Sequence, residues 1–175
     1  QEAERDLRDN LTFLTRLMDT IPSPVFHKDA DGLYTGCNQA FARLIMGLAP
    51  EETVGRGVHD FPDQIPADLA DTYAEHDAAL LEAGGSEQYE AEVVCADGII
   101  REFAFHKATY TDTSGAPAGV VGIMLDITER KDAEEQLRRS EERLALATAG
   151  TGMGIWDYYV AEDRRFGAFF GKVAE

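Results

Sequence analysis

The chain has 175 residues, of which 44% are hydrophobic and 9% aromatic, enough apolar material for one globular domain with flanking segments. Its 33 acidic residues outnumber its 16 basic residues, and the formal net charge of −17 makes nucleic acid and anionic lipid poor partners. No apolar run approaches the ~20 residues that a membrane-spanning helix needs, so we expect a cytoplasmic segment without direct membrane contact, whether or not its parent polypeptide is anchored in a membrane.

The N-terminal segment is predicted to be an amphipathic helix. Apolar residues at Leu7, Leu11, Leu14 and Met18 follow the spacing of a heptad seam. Two prolines then stop the helix, because neither can donate a backbone hydrogen bond. A seam of this kind packs against another helix. We therefore expect residues 1–21 to form a dimerisation helix in a homodimer of the chain.

Two short strands and a capped helix follow. Strands are predicted at 25–28 and 33–37, and the Asp-Ala-Asp-Gly turn between them indicates a hairpin. Asn38 occupies a helix N-cap position, apolar residues at helical spacing follow it, and Gly47 marks the end of that helix. The mixture of proline, glycine and acidic residues over 49–63 predicts short helical turns.

A long helix and three strands occupy the next part of the chain. The helix is predicted over 66–83 and ends at two glycines, and strands are predicted at 89–95, 99–110 and 118–126. Short glycine-containing turns join these strands, so they should pair antiparallel. A charged helix with a thin leucine seam follows over 129–149, and we interpret it as a coiled-coil-like signalling helix.

This order of elements predicts an α+β fold. The simplest arrangement that buries both patterns is a five-stranded antiparallel sheet covered by helices on one face, with an amphipathic helix at each end. A ligand slot would then lie between the sheet and the helices. We expect its lining to include Phe41, Leu44, Ile45, Phe61, Leu69, Tyr73, Phe103, Phe105, Ile123 and Leu125.

Three short motifs in the chain resemble those of a known protein family. The residues Gly-Val-Val-Gly-Ile-Met-Leu-Asp-Ile-Thr-Glu-Arg-Lys at 119–131 are similar to the last strand and exit motif of that family. Asn-Gln-Ala-Phe at 38–41 resembles the start of its first core helix, and Ala-Asp-Gly at 96–98 resembles the turn before its long strand. The resemblance implies the PAS fold, with a PAS sensor domain over 22–128.

The family resemblance implies a signal-input module of a bacterial multidomain receptor. Such a module binds a small ligand or cofactor and relays the signal through its C-terminal helix to an output domain of the same polypeptide, either a histidine kinase or a cyclic-di-GMP enzyme. Two alternatives stay open: a ligand-free PAS module for dimerisation or interaction, and a heme-binding gas or redox sensor. A partial second resemblance at 142–158 implies that 150–175 is the truncated start of another PAS repeat or a disordered tail.

The sequence carries no motif typical of an enzyme or of a metal site. It has no phosphate-cradling glycine loop and no nucleophile elbow. The two cysteines, Cys37 and Cys95, lie far apart and do not form a metal-binding pattern with histidine. We therefore expect no catalytic residues and no metal, so that the chain is not itself an enzyme.

The candidate contacts for a ligand or cofactor are His76, Tyr73, Phe103, Phe105 and Lys107. The identity of that group stays open between none, heme and flavin. His76 lies at a position similar to the iron-ligating histidine of heme-binding PAS sensors. Lys107 shares a strand face with two phenylalanines, where its ammonium could hold a ligand carboxylate. The alternative is a salt bridge to Glu90 or Glu92 across the sheet.

The exit motif supplies the candidate relay residues Asp126, Thr128 and Arg130. Asp126 ends the last strand, and Arg130 follows one helical turn later, close enough for a carboxylate–guanidinium pair. Thr128 can add a hydroxyl-to-backbone hydrogen bond. These residues cap the outgoing helix, and a ligand that shifts the last strand would use them to tilt or rotate that helix.

Overall fold

The computed structural model describes residues 2–151 of the chain, and the surroundings of the side chains up to residue 147. The elements follow the predicted order, and the predicted α+β fold with its five-stranded antiparallel sheet is confirmed. The helices are α1 (Glu2–Thr20), α2 (Pro50–Thr53), α3 (Ala67–Ala83) and α4 (Thr128–Thr151). The strands are β1 (Val25–Asp29), β2 (Tyr34–Cys37), β3 (Ser86–Val94), β4 (Ile100–Thr111) and β5 (Pro117–Asp126).

The last strand in sequence lies at the centre of the sheet. The strand order is β2-β1-β5-β4-β3, and every neighbouring pair is antiparallel. Phe26 on β1 and Lys107 on β4 both lie opposite Gly122 of β5. Glycine is needed there because the Phe26 ring occupies the space that a Cβ atom would fill. Side chains of β1 and β4 therefore converge over the middle of β5.

The buried face of β5 differs from the prediction. The expectation that Ile123 and Leu125 line the slot is wrong, because Val120 and Met124 are buried instead and Leu125 is 40% exposed. This part of β5 is apolar on both faces, so its alternation does not indicate which face is buried. The register is set by hydrogen bonding to the neighbouring strands on both sides.

Asn38 joins the end of α1 to β1 and to the helical segment that follows β2. Its amide oxygen accepts hydrogen bonds from the backbone nitrogens of Val25 and Phe41 at 2.9 and 3.0 Å, which confirms the predicted N-cap. Its amide nitrogen donates at 2.9 to 3.1 Å to three carbonyl oxygens, those of Met18, Ile21 and Ser23. The residue is fully buried. We call this set of contacts the Asn38 junction.

The helical segment after Asn38 is wider than a regular α-helix. Residues Phe41–Met46 are π-helical and end at Gly47, whose φ of 65° lies in the left-handed region that glycine adopts without strain. A short 3-10 turn at Val58–Asp60 follows α2. Together with α3, these segments cover the inner face of the sheet and enclose the hydrophobic core.

The two long terminal helices expose apolar side chains. On α1, Leu7, Leu11 and Leu14 are each more than half exposed, and on α4 Leu137 and Leu144 are exposed to the same degree. The chain divides into two compact units, one ending at Thr128 and the other beginning at Glu129. Within the described part of the chain, no helix combines the length and apolar character needed to cross a membrane. The predicted second repeat or tail over 150–175 falls almost entirely outside the described residues and stays a prediction.

Candidate functional site

A cavity of about 60 Å³ lies between the inner face of the sheet and the helices. We call it the inner cavity. Of the residues predicted to line such a slot, those that do so are Phe41, Ile45, Leu69, Tyr73 and Phe105. Phe61 and Phe103 are instead fully buried in the surrounding core. Most of the lining is aromatic or aliphatic, so the cavity offers an apolar environment to whatever it encloses.

Three charged side chains lie buried beside the inner cavity. The ammonium groups of Lys28 and Lys107 each lie 2.6 Å from a different carboxylate oxygen of Asp77. None of the three side chains is more than 5% exposed. Burying such charges costs several kcal/mol per ion, which only close pairing and further hydrogen bonds can offset. We call Lys28, Asp77 and Lys107 the lysine cluster.

Local sequence patterns explain why these charges are buried. The period of two along β1 places Lys28 on the same face as Phe26, and along β4 it places Lys107 on the same face as Phe105. Asp77 shares a face of α3 with other buried residues, since it lies seven positions after Ala70 and three before Leu80. Sequence reasoning missed Lys28 and Asp77 as site residues, and the only signal in the sequence was that each charge shares a face of its element with apolar residues.

The predicted cross-strand salt bridge from Lys107 to Glu90 or Glu92 is wrong. Lys107 lies opposite Glu87 on β3, and the two predicted partners project from the other, exposed face of that strand. The nearest carboxylate to Lys107 comes from α3, since Asp77 lies 2.6 Å from its ammonium, and the carboxylate on the neighbouring strand is that of Glu87 at 4.0 Å. The prediction chose the wrong residues of β3 because it did not have the register of the sheet.

The cluster shifts the proton affinities of its members. Burial works to raise the pKa of Asp77, but the ammonium groups of Lys28 and Lys107 outweigh it and hold that pKa below its usual value. Burial lowers the pKa of Lys28, because attraction to Asp77 opposes it only in part and Lys107 repels the charge. For Lys107, burial also acts to lower the pKa, but Asp77 outweighs it and the pKa is raised.

Two buried polar atoms beside the cluster make no hydrogen bond of good geometry to a described residue: the hydroxyl oxygen of Tyr89, which lies near the Lys107 ammonium, and Oε1 of Glu87. Burial raises the pKa of Tyr89, although nearby Lys107 opposes the rise, so the hydroxyl keeps its proton and remains a donor. Oε1 of Glu87 lies 4.0 Å from the Lys107 ammonium, beyond hydrogen-bonding distance. Unsatisfied atoms of this kind are rare in folded proteins and are often functional.

Aromatic rings complete the surroundings of the ammonium groups. The Lys28 ammonium lies 4.6 Å from the ring centre of Tyr34, and the Lys107 ammonium lies 5.3 Å from that of Tyr89. The Tyr89 ring stacks on Phe105 with 4.8 Å between the ring centres. The quadrupole of each ring attracts the nearby cation. The rings therefore stabilise positive charge at the wall of the inner cavity.

A second pocket, of about 290 Å³, lies on the other side of the cluster. We call it the outer pocket. Lys28 lines both spaces, whereas Asp77 lines only the outer pocket and Lys107 only the inner cavity. The carboxylate therefore approaches the two ammonium groups from the outer side, and the ammonium groups form the charged wall of the inner cavity.

The described geometry offers a heme or a flavin little room, and both alternatives stay predictions. His76 is not among the residues that line the inner cavity, its side chain is 46% exposed, and its Nδ1 lies 3.6 Å from Oε2 of Glu87. A cavity of about 60 Å³ is far too small for a porphyrin or an isoalloxazine ring. Among the described residues, no group of three or more His, Cys, Asp or Glu side chains is placed to hold a metal ion.

The exit junction is built by hydrogen bonds between β4 and the end of β5. The backbone nitrogen of Glu102 donates to the Thr128 hydroxyl at 3.0 Å, and the carbonyl of Glu102 accepts from the nitrogen of Ile127 at 2.8 Å. Asp126 accepts from the backbone nitrogen of Thr128 at 2.9 Å and lies 3.9 Å from the guanidinium of Arg101. Asp126 thus bonds the first residue of the outgoing helix, whereas the Thr128 hydroxyl bonds the neighbouring strand rather than its own helix, and the relay roles of both stay predictions.

Arg130 lies beyond this junction, in the unit that begins at Glu129. Its guanidinium lies 3.1 Å from the carboxylate of Glu134 in the next turn of α4. An exposed pair at this spacing stabilises a helix by only a few tenths of a kcal/mol. The pairing of Arg130 with Asp126 stays a prediction.

Comparison with known proteins places this geometry in a family. Residues 18–132 match a family model described as the PAS fold. Sporulation kinase C of Bacillus subtilis is 34% identical over 132 residues, which cover 74% of this chain and 29% of that protein. The aerobic respiration control sensor protein ArcB of Escherichia coli is 31% identical over 130 residues, which cover 74% of this chain and 16% of that protein. The chain thus spans less than a third of the length of these relatives.

Solved structures agree on the fold. The PAS domain of Bordetella pertussis BvgS aligns with a TM-score of 0.60 at 23% identity, covering 77% of this chain and 98% of that domain. VqmA bound to DPO aligns with a TM-score of 0.60 at 24% identity, covering 68% of this chain and 58% of that one. The match to the family model covers more than half of the chain and agrees with the strand order and exit junction described above, so the chain belongs to the PAS family.

Proposed function

We propose that this chain is the sensory segment of a sensor kinase, in which a small molecule in the inner cavity alters the exit junction and thereby the kinase. The observation that carries the proposal is the lysine cluster. Replacing a buried ion cluster by apolar residues of similar volume is often neutral or stabilising. A cluster that borders a cavity next to two unsatisfied polar atoms is therefore better explained by binding than by stability.

The sheet supplies a short path from the cavity to the exit. Phe105 and Lys107 line the inner cavity on β4, and Glu102 on the same strand holds the start of the outgoing helix through Ile127 and Thr128. A ligand that displaces β4 would move these hydrogen bonds with it. Even a sub-ångström displacement of β4 suffices when the outgoing helix has two alternative arrangements.

The kind of output domain is proposed by analogy with the relatives. The relatives described above are named as a sporulation kinase and a respiration control sensor protein, so we propose a histidine kinase as the output domain of the same polypeptide. A cyclic-di-GMP enzyme is the alternative output. Sequencing the parent gene distinguishes the two directly.

We further propose that α1 pairs with α1 of a second copy of the chain. Its exposed leucines follow a heptad spacing, and two such stripes cover one another in a parallel or antiparallel coiled coil. This exposed stripe also supports the alternative function, a ligand-free PAS module that only dimerises the receptor. Mass spectrometry of the protein purified under native conditions separates the two, since a retained small molecule contradicts the ligand-free alternative.

The relay is tested in the full-length receptor with Asp126→Ala. Asp126 holds the start of the outgoing helix, so we expect the ratio of stimulated to basal autophosphorylation to change about fivefold or more, the size of a typical coupling between sites. The matched control is Asp112→Ala, because Asp112 accepts the same kind of backbone hydrogen bond from Ser114 in a turn away from the exit. Unchanged output in a folded Asp126→Ala receptor would refute the relay.

A further inference from the structure

We propose that the ligand of the inner cavity is a small monocarboxylate, of about the size of acetate or propionate. The inference rests on the proposed sensory function and adds the chemical class of the molecule sensed. It follows from the charge, the hydrogen-bonding capacity and the size of the cavity.

The wall of the inner cavity carries positively charged side chains. Among the described residues that line the inner cavity there are two lysines and no aspartate or glutamate. This is unusual in a chain with 33 acidic and 16 basic residues. Asp77 neutralises one of the two charges from the side of the outer pocket. Glu87 is not part of the lining, but its carboxylate lies 4.0 Å from the Lys107 ammonium and offsets part of that charge without a hydrogen bond. The surface that faces the cavity therefore presents ammonium groups and no carboxylate, and it favours an anionic group over a cationic one.

Several hydrogen-bond donors beside the inner cavity have no described acceptor. Each ammonium carries three N–H donors, and the described hydrogen bonds use one from Lys28 and one from Lys107, both on Asp77. The Tyr89 hydroxyl, which also lines the cavity, is a further donor with no partner among the described residues. A carboxylate has two oxygens and about four lone-pair sites, and it carries no donor of its own. It therefore matches a site with donors in excess.

The size of the inner cavity and its remaining lining limit the part of the ligand that lies beyond the carboxylate. A cavity of about 60 Å³ holds on the order of four waters. An engineered cavity of about 150 Å³ is known to hold benzene, so an aromatic acid is too large here. Apart from the cluster, the lining is mostly apolar, and Phe26 and Met124 lie on its floor where β1 meets β5. A carboxyl group with a short alkyl chain satisfies both parts of the site.

The net charge of the chain makes the test selective. At −17 the protein repels anions in general, so saturable uptake of a carboxylate reports a local site rather than loose surface binding. We would titrate the purified chain by isothermal titration calorimetry with sodium propionate, with propionamide as a neutral molecule of the same shape, and with sodium benzoate as a larger acid. We expect saturation by propionate, binding of propionamide at least about tenfold weaker because the charge-assisted hydrogen bonds are lost, and no binding of benzoate.

Two variants tie the binding to the site. Tyr89→Phe removes a hydroxyl that has no partner, so the fold should be kept while propionate binds several-fold more weakly. Lys107→Met removes one of the two ammonium groups that face the cavity and leaves the other, Lys28, paired with Asp77, so propionate binding should be lost. The matched control is Arg43→Met, which removes an exposed cation that does not line the cavity and should leave binding unchanged.

Equal binding of propionate and propionamide, or full propionate binding by Lys107→Met, would overturn the carboxylate assignment. So would a neutral or aromatic molecule retained by the purified protein, although the sensory function would then stand. If propionate binds as expected but leaves the autophosphorylation of the full receptor unchanged, the ligand class stands and the proposed sensing function fails. The two proposals therefore fail under different outcomes.

Discussion

The Asn38 junction and the lysine cluster are both polar, both buried and both at the inner side of the same sheet, yet they differ in how completely their hydrogen bonds are satisfied. The amide of Asn38 uses its nitrogen and its oxygen on five backbone groups. The cluster leaves ammonium donors and the Tyr89 hydroxyl without described partners, next to a cavity.

This difference separates two uses of buried polarity. A fully satisfied group fixes one arrangement of the chain, because any movement breaks several bonds at once. A group with donors to spare can accept a partner from outside the fold. We infer that the Asn38 junction fastens α1 to the domain, whereas the lysine cluster is held ready for a ligand.

The largest expected effect is that of Asp77→Asn. Removing the shared carboxylate leaves the buried Lys28 ammonium without a counter-charge and Lys107 with only the more distant Glu87, and we expect a loss of about 3 to 5 kcal/mol in the free energy of unfolding. Urea unfolding followed by circular dichroism measures it. Glu75→Gln, an exposed change on the same helix, serves as the control. A loss below about 1 kcal/mol would mean that the cluster is not charged as described.

Asn38→Ala should come next, with a loss of about 2 to 3 kcal/mol, since it leaves the buried nitrogen of Val25 in β1 without its acceptor and removes the bond to the end of α1. Gln39→Ala is the neighbouring control, because it keeps the backbone bond to Asp19. Hydrogen exchange of the α1 amides should rise in Asn38→Ala and stay constant in the control. If α1 exchanges equally in both variants, the junction does not fasten it.

Lowering the pH should change the contribution of the lysine cluster to stability but not that of the Asn38 junction. The pKa of Asp77 lies below its usual value because the two ammonium groups outweigh burial. Its contribution to stability is therefore complete above the unfolded-state pKa, about pH 4, and is lost as pH falls through the lower pKa of the folded state. The difference in the free energy of unfolding between wild type and Asp77→Asn should therefore narrow as the pH falls below about 4. The difference in the free energy of unfolding between wild type and Asn38→Ala should not change with pH, because Asn38 does not titrate.

Tyr89→Phe should change the stability least, and it tests the difference between satisfied and unsatisfied buried polar groups most directly. Tyr89→Phe should leave the free energy of unfolding unchanged or raise it by up to about 1 kcal/mol, because the hydroxyl it removes is unsatisfied. Tyr110→Phe should lower it by about 1 kcal/mol, since that hydroxyl donates to the carbonyl of Lys28 at 3.2 Å. Opposite signs in thermal or urea unfolding support the contrast, and equal losses would contradict it.

Sequence patterns were sufficient for most of the fold and for only part of the site. The cap at Asn38, the stop at Gly47 and the alternation of Phe103 and Phe105 are local signals, and each predicted its element correctly. The buried face of β5 was not predictable in this way, because that strand is apolar on both faces and its register depends on its neighbours.

The lysine cluster could not be assembled from the sequence. Lys28, Asp77 and Lys107 are separated by 49 and 30 positions, and three different elements bring them together. Each one alone resembles an ordinary surface charge. Only the folded structure shows that one carboxylate is shared between two ammonium groups, and only then does the excess of positive charge at the cavity become visible.

The neighbouring positions of β1 and β5 have a mechanical consequence. The carbonyl of Pro24 accepts from the nitrogen of Met124 at 2.9 Å, and Val25 lies opposite Ile123, so the chain enters β1 and leaves β5 at the same end of one antiparallel pair. Tension applied along the chain would open this pair one hydrogen bond at a time, as a zipper opens, instead of loading all of its bonds together. Phe26 and Met124, which both line the inner cavity, lie on that seam. Once the Asn38 junction and the exit junction give way, tension on the chain would therefore act on a seam that borders the cavity.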